Sequence, residues 1–156
     1  MNTASTSNKP VPEFSITRSI NAPRSVVWRA WTEDAELAQW LSPFGVTTES
    51  VSFDVRVDGE FRYTMINDET GVEYPTGGVF LEVEPQERLV FTWGEPGAPK
   101  DSAPVISLTF TEARDATELV FHLRGFAGEP GDGFVYDGWA EALTNFERFL
   151  AGESLR

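Results

Sequence analysis

Apolar residues recur at every second position along much of the chain, which is the period of a half-buried β-strand. The first such stretch is "EFSITRSIN", where Phe14, Ile16 and Ile20 fall on one side. Six more stretches follow residue 45: "VTTESVSFDVRV", "EFRYTMI", "VFLEV", "RLVFTW", "VISLTFTEA" and "TELVFHLRGF". Short turns such as Asp58-Gly59 separate several of them, so consecutive strands are predicted to pair antiparallel.

Apolar residues three to four positions apart mark three helices instead. Two short ones, "APRSVVWRAWT" and "TEDAELAQWL", lie between the first two strands, with Pro23 in the first turn of one and Thr32 as the N-cap of the other. A long helix begins near Asp132 or Asp137 and contains "GWAEALTNFERFL". The apolar face of this long helix consists of Trp139, Ala142, Leu143, Phe146, Phe149 and Leu150.

The order of these elements predicts an α+β fold. An antiparallel sheet has one polar and one apolar face, and only the long C-terminal helix can cover the apolar one. We expect a curved antiparallel sheet of about six to seven strands around that helix, with two short helices after strand 1. The Gly- and Pro-rich loops 94–104 and 128–133 could act as gates to a pocket beneath the helix.

Length and composition suit an ordinary globular domain. The chain has 156 residues, of which 40% are hydrophobic and 13% aromatic. Residues 1–12 are small and polar, which indicates a flexible N-terminal segment, and residues 13–153 are predicted to form a single domain.

Charge and residue types exclude several function classes. The net charge of -13 disfavours nucleic acid and membrane surfaces as partners. There is no cysteine, no apolar run of transmembrane length and no secretory signal, so a cytoplasmic protein is expected. A single histidine makes a histidine-rich zinc site impossible, and we predict neither a metal nor a cofactor.

The aromatic residues carry the most information about function. Side chains of the strands and of the long helix are predicted to meet on the inner face, where they either pack as a solid core or line an apolar pocket. The predicted pocket wall comprises Tyr63, Met65, Phe91, Trp93, Phe121, Trp139, Leu143 and Phe146. Candidate polar contacts to a ligand are Tyr74, His122, Tyr136 and Glu82.

His122 and Glu82 each allow two interpretations. His122 alternates with Phe121 and Leu123 and therefore points outward if the leucine side faces the pocket, although a histidine could also serve as a general base. Glu82 is likewise expected to point outward and to pair with Arg88 or Arg62, but a buried carboxylate there would have a raised pKa. No catalytic residue is assigned.

Four blocks occur in an order and spacing that identify a family: "APRSVVWRAWTEDAELAQWLSP", "DGEFRYTM", "GGVFLEVEPQERLVFTW" and "GWAEALTNFERFL". The chain resembles, from about Phe14 to Ala151, the activator of heat-shock-protein-90 ATPase homologue-like domains of the START-like (SRPBCC) superfamily. The resemblance implies the helix-grip fold of the birch-pollen allergen, with a deep pocket between helix and sheet in many relatives. It also implies a range of roles, from co-chaperones in the stress response to lipid and hormone binders and cyclases.

Three hypotheses for function follow. The first is binding of a hydrophobic or aromatic small molecule without catalysis. The second is a regulator of a protein partner such as heat-shock protein 90, and the third is an enzyme of the cyclase or aromatase kind in which Tyr63, His122 or Glu82 moves protons. An open, apolar pocket favours the first, a closed pocket the second, and an open pocket containing His122 or Glu82 the third. A monomer or a homodimer is expected.

Overall fold

The computed structural model describes residues 11–152, which form seven strands and three helices. In chain order these are β1 (Glu13–Ile20), α1 (Arg24–Thr32), α2 (Asp34–Trp40), β2 (Val46–Phe53), β3 (Glu60–Asn67), β4 (Glu73–Glu84), β5 (Arg88–Thr92), β6 (Val105–Ala113), β7 (Ala116–Arg124) and α3 (Val135–Leu150). Most of the predicted flexible segment, and residue 153 at the end of the predicted domain, lie outside the described residues.

All seven strands belong to one antiparallel sheet in the order β1-β7-β6-β5-β4-β3-β2. The sheet curls into a half-barrel whose edges are β1 and β2, and α3 lies against its concave face. This arrangement confirms the predicted α+β helix-grip fold, with two short helices after the first strand.

The long helix fills the concavity with the apolar face that its sequence predicts. Trp139, Ala142, Leu143 and Phe146 are all buried. Trp40 of α2 packs against Phe146, with 4.8 Å between the ring centroids, and Trp31 of α1 packs against the same ring. The short helices thus close the core on the side of α3 that the sheet leaves open.

Arg18 fastens the β1 edge of the sheet to α3. It has the same parity on β1 as the buried Phe14, Ile16 and Ile20, so its side chain reaches inward. Its guanidinium contacts the Glu147 carboxylate at 2.5 Å and donates to the carbonyl oxygen of Ala140 at 3.1 Å. A partly buried arginine with both an ionic and a carbonyl partner contributes more than an exposed ion pair does.

Two local predictions are wrong. Thr32 is the last residue of α1 rather than the N-cap of α2, and its hydroxyl donates to the carbonyl oxygen of Trp28. The connection at Asp58-Gly59 is a longer loop, because β2 ends at Phe53 after a bulge and β3 begins only at Glu60. Residues 54–59 turn back on themselves through the bond from the Gly59 N–H to the Arg56 carbonyl.

Strand β4 is longer than the segment "VFLEV" predicts. It extends back to Glu73, and Pro75 and Gly77 pair with β3 within it. A Cβ atom on Gly78 would lie 1.9 Å from the carbonyl oxygen of Thr92, so only glycine permits this close approach of β4 to β5.

No helix within residues 11–152 has both the length and the apolar character needed to cross a membrane.

Candidate functional site

A cavity of about 470 Å³ lies between the concave face of the sheet and the first half of α3. Strands β3 and β4 and the residue after β5 provide one side of it, and the segment that follows α2 closes the end. The lining residues are Leu41, Ser42, Pro43, Tyr63, Met65, Tyr74, Trp93, Phe134, Val135, Gly138, Trp139 and Ala142. Its volume lies within the range of small-molecule sites, roughly 300–1,000 Å³.

The cavity reaches from the core to the surface. Tyr63 at its inner end has only 3% of its surface exposed, whereas Tyr74 and Phe134 at its outer end have 51% and 80% exposed. A molecule inside would therefore contact buried rings at one end and a partly exposed aromatic rim at the other.

Gly138 gives the cavity part of its width. It lies in the first turn of α3, and apart from its chain neighbours and the helix's own backbone, a Cβ atom built at this position would meet no heavy atom within 4 Å. The missing side chain leaves open space next to Trp139, where most helix residues would fill it. Glycine destabilises a helix by roughly 1 kcal/mol relative to alanine.

The polar chemistry of the cavity centres on Tyr63 and Trp93. The Trp93 indole N–H donates to the Tyr63 hydroxyl oxygen, with 2.9 Å between Nε1 and Oη. Burial raises the pKa of Tyr63 well above its usual value, although this hydrogen bond acts in the opposite direction. The phenol is therefore neutral at physiological pH. The other polar side chains of the wall belong to Ser42, Tyr74 and, through its indole N–H, Trp139.

Two aspartates order the loop that leads into α3 and places Phe134 at the cavity mouth. Asp132 accepts hydrogen bonds from the backbone N–H groups of Phe134 and Asp137, and Asp137 accepts from those of Gly131 and Gly133. The bond from Phe134 is the main reason why the pKa of Asp132 is lowered. These carboxylates satisfy N–H groups at the positive end of the helix dipole.

Five of the predicted site residues line the cavity: Tyr63, Met65, Trp93, Trp139 and Tyr74. The structure does not bring four others to it, because Phe91, Phe121, Leu143 and Phe146 point inward but pack into the solid core. Phe121, for example, contacts the ring of Trp139 at a centroid distance of 4.8 Å. The inner face thus contains both a packed core and a cavity.

The remaining polar candidates lie outside the cavity. The His122 Nε2 atom is 2.7 Å from a carboxylate oxygen of Glu13, and Glu82 pairs with Arg88 at 3.3 Å on the outer side of the sheet. The Tyr136 ring packs on Phe14, with centroids 5.1 Å apart. Residues 11–152 contain no group of three His, Asp or Glu side chains that could hold a metal ion.

Sequence reasoning missed the parts of the wall that strand and helix periods do not describe. Leu41 was predicted to face inward and Pro43 to end the second short helix, but neither was assigned to the pocket wall, and Phe134 lies between the two predicted starts of the long helix. Proline after an apolar helix end and an aromatic residue before a helix start were the available signals, but neither indicates which way a loop turns.

A family model described as "Activator of Hsp90 ATPase homolog 1-like protein" matches residues 21–151. Among solved structures, protein CV1439 from Chromobacterium violaceum is similar at 25% identity and a TM-score of 0.76, covering 88% of this chain and 96% of its own. Protein NE0264 from Nitrosomonas europaea has 25% identity and a TM-score of 0.75, with 90% and 95% covered.

An AHSA1-like protein from Aeromonas hydrophila shares the fold at 21% identity and a TM-score of 0.72, with 90% of this chain and 92% of its own covered. No curated protein matches the chain.

Proposed function

The chain belongs to the family of Activator of Hsp90 ATPase homolog 1-like proteins, and from this premise we propose that it binds a hydrophobic or aromatic small molecule in the cavity beneath α3 without transforming it. Family membership supports a role in ligand binding or regulation in general terms. The finer statement rests on the cavity itself.

The observation that carries the proposal is an open, aromatic cavity within an otherwise well-packed core. Its walls are almost wholly apolar, and the polar side-chain groups of its buried residues are both neutral, namely the Tyr63 hydroxyl and the Trp139 indole N–H. An uncharged guest would remove apolar surface from water without leaving a buried charge unpaired. The net charge of -13 further favours a neutral or weakly acidic molecule over a strong anion.

The enzyme hypothesis finds less support in this arrangement. General acid–base catalysis needs a titrating side chain within hydrogen-bond reach of the bound molecule. His122 and Glu82 lie outside the cavity, and burial keeps Tyr63 protonated. We therefore propose binding without proton transfer, in a cytoplasmic protein that lacks cysteine.

The exposed aromatic residues at the outer end of the cavity favour a second candidate function. This function is regulation of a protein partner such as heat-shock protein 90. Phe134 is exposed in the cavity lining, Phe44 is exposed one residue after the lining residue Pro43, and Phe126 packs edge-on against Trp93 of the lining. Exposed aromatic rings are enriched at protein interfaces. Stimulation of the ATPase of purified heat-shock protein 90 by the wild-type chain, and its loss in Phe134→Ser, would support this candidate.

Native mass spectrometry of the freshly purified protein, followed by organic extraction, tests the binding proposal. We expect a co-purifying small molecule or, if the cavity empties during purification, saturable quenching of tryptophan fluorescence by a panel of hydrophobic compounds. The quenching should weaken in Trp93→Phe, which removes a tryptophan of the wall.

The matched control is Trp28→Phe. Trp28 packs against Phe110 outside the cavity, so this variant should keep the quenching. A bare protein mass together with flat titrations across the panel would contradict the proposal.

A further inference from the structure

We propose that Tyr63 selects the ligand by donating its hydroxyl proton to a neutral acceptor, such as a ketone, ester or ether oxygen, on the molecule in the cavity. This inference rests on the proposed function and narrows it from any apolar molecule to apolar molecules that carry one acceptor oxygen at a defined position. The Tyr63 hydroxyl at the inner end of the cavity binds that oxygen, and the aromatic rings around it pack against the hydrocarbon part of the ligand.

The hydrogen bond between Trp93 and Tyr63 has only one possible direction. An indole Nε1–H can only donate, so the Tyr63 oxygen must be the acceptor over the 2.9 Å that separate them. Trp93 follows the end of β5 and Tyr63 lies on β3, so the sheet itself fixes this geometry. The oxygen thus already has one donor.

The proton of the Tyr63 hydroxyl has no acceptor among the described residues. Among the hydrogen bonds of residues 11–152, the Tyr63 hydroxyl accepts from Trp93 but donates to no protein group. A phenol has one proton to give, and Tyr63 is buried against an apolar wall. Its donor capacity therefore remains available to whatever occupies the cavity.

Leaving the Tyr63 donor unpaired when a ligand binds would cost free energy. A buried polar group without a partner loses its interaction with water and gains nothing in return. A guest with an acceptor oxygen satisfies the Tyr63 proton, whereas a pure hydrocarbon displaces water from it. A guest that offers only a donor leaves the Tyr63 proton without an acceptor.

A charged acceptor does not fit the inner end of the cavity. The walls next to Tyr63 are Met65, Trp93 and Trp139, and the cavity lining contains no lysine, arginine or histidine. A carboxylate would lose its hydration there without a counter-charge. The neutral acceptor oxygen is thus the chemistry that complements the site.

Pairs of compounds that differ only in this oxygen test the inference. Acetophenone and α-methylstyrene form one pair, and benzophenone and its methylene analogue form a larger one, since a methylene group replaces the carbonyl oxygen in each. Isothermal titration calorimetry into the full chain should show about tenfold tighter binding of the ketone. Tyr63→Phe should remove this preference while keeping the affinity for the alkene.

The control variant is Tyr136→Phe, which deletes the same hydroxyl group from a tyrosine outside the cavity. It should retain the ketone preference in full. Equal affinities of ketone and alkene for the wild type would overturn this inference but leave the proposed function standing. If no compound of either pair bound, both this inference and the proposed function would be contradicted.

A measurement on the wild type alone tests the inference even if the Tyr63→Phe variant does not fold. The carbonyl stretch of isotopically labelled benzophenone moves to lower wavenumber when the oxygen accepts a hydrogen bond. We expect the bound ketone to show this shift relative to the ketone in hydrocarbon solvent. A stretch at the hydrocarbon position would overturn the assignment of Tyr63 as the donor.

Discussion

The indole N–H of Trp93 donates to the hydroxyl oxygen of Tyr63 at 2.9 Å, and this bond links two side chains on the sheet side of the cavity. It holds the two side chains in place and assigns the hydroxyl the role of acceptor toward the protein. It also ties the one buried hydroxyl of the wall to an ordered neighbour, so the site is organised before any ligand arrives.

Alkaline pH should destabilise the protein through Tyr63. Because burial raises its pKa in the folded state above the unfolded value of 10.0, the neutral phenol contributes stability below pH 10 and that contribution declines as pH rises further. Thermal unfolding from pH about 8 to about 11 should therefore show a larger loss of Tm for the wild type than for Tyr63→Phe. Parallel Tm curves for the two proteins would contradict this.

The Arg18 contacts should contribute measurably to stability. Arg18→Met keeps much of the side-chain bulk but removes the bonds to Glu147 and to the Ala140 carbonyl, and should lower the free energy of unfolding by about 1–3 kcal/mol. Urea denaturation monitored by circular dichroism measures this.

The control for Arg18 is Arg56→Met. Arg56 forms an exposed ion pair with Asp54, and its loss should cost less than about 0.5 kcal/mol. Equal effects of the two variants would show that Arg18 does not fasten α3 to the sheet.

Two buried tryptophans should respond differently to the same substitution. Trp40 Nε1 donates to the Ala30 carbonyl at 2.9 Å, whereas Trp31 Nε1 is the buried side-chain nitrogen without a partner within residues 11–152. Trp40→Phe leaves a carbonyl unsatisfied and Trp31→Phe removes an unpaired donor, so Trp40→Phe should be the more destabilising by about 1–3 kcal/mol. The reverse order in chemical denaturation would be inconsistent with these hydrogen bonds.

The loop before α3 should loosen in acid. Because hydrogen bonds, chiefly from the Phe134 N–H, lower the pKa of Asp132, its contribution is present above the unfolded value of 3.8 and is lost as pH falls through the folded value. The Tm difference between wild type and Asp132→Asn should be positive at neutral pH and shrink toward zero in acid. A Tm difference that stays constant from neutral to acidic pH would contradict this account of Asp132.

Strict periodicity made most of the fold predictable. Strand β6 spans the predicted segment, and α3 buries the predicted face, because a residue every second or every three to four positions must contact the core. The first half of β4 could not be predicted in this way, since Pro75, Gly77 and Gly78 normally interrupt strands. Gly78 is there because the Thr92 carbonyl occupies the space of a side chain, which is a tertiary contact.

The candidate site was only half predictable for the same reason. Parity identified the inward residues but did not separate Tyr63 and Trp93, which line the cavity, from Phe91 and Phe121, which pack in the core. That difference depends on how far α3 stands from each strand and on the empty position at Gly138. A local hydrophobic pattern encodes neither the separation between α3 and each strand nor the open space at Gly138.

Filling the cavity from Gly138 tests the central claim most directly. Gly138→Leu adds a side chain where a Cβ meets nothing within 4 Å, and leucine is favoured over glycine in a helix by nearly 1 kcal/mol. The variant should therefore fold at least as stably as the wild type. Ala35→Leu, which adds an exposed apolar side chain on α2 outside the cavity lining, is the matched control.

The measurement is calorimetric titration of a panel of hydrophobic compounds into the three proteins. We predict saturable binding to the wild type and to Ala35→Leu, and at least a tenfold weaker or undetectable signal for a well-folded Gly138→Leu, because the added side chain occupies the ligand's volume. Undiminished binding to Gly138→Leu would contradict the account, since the compounds would then be bound somewhere other than the cavity beneath α3.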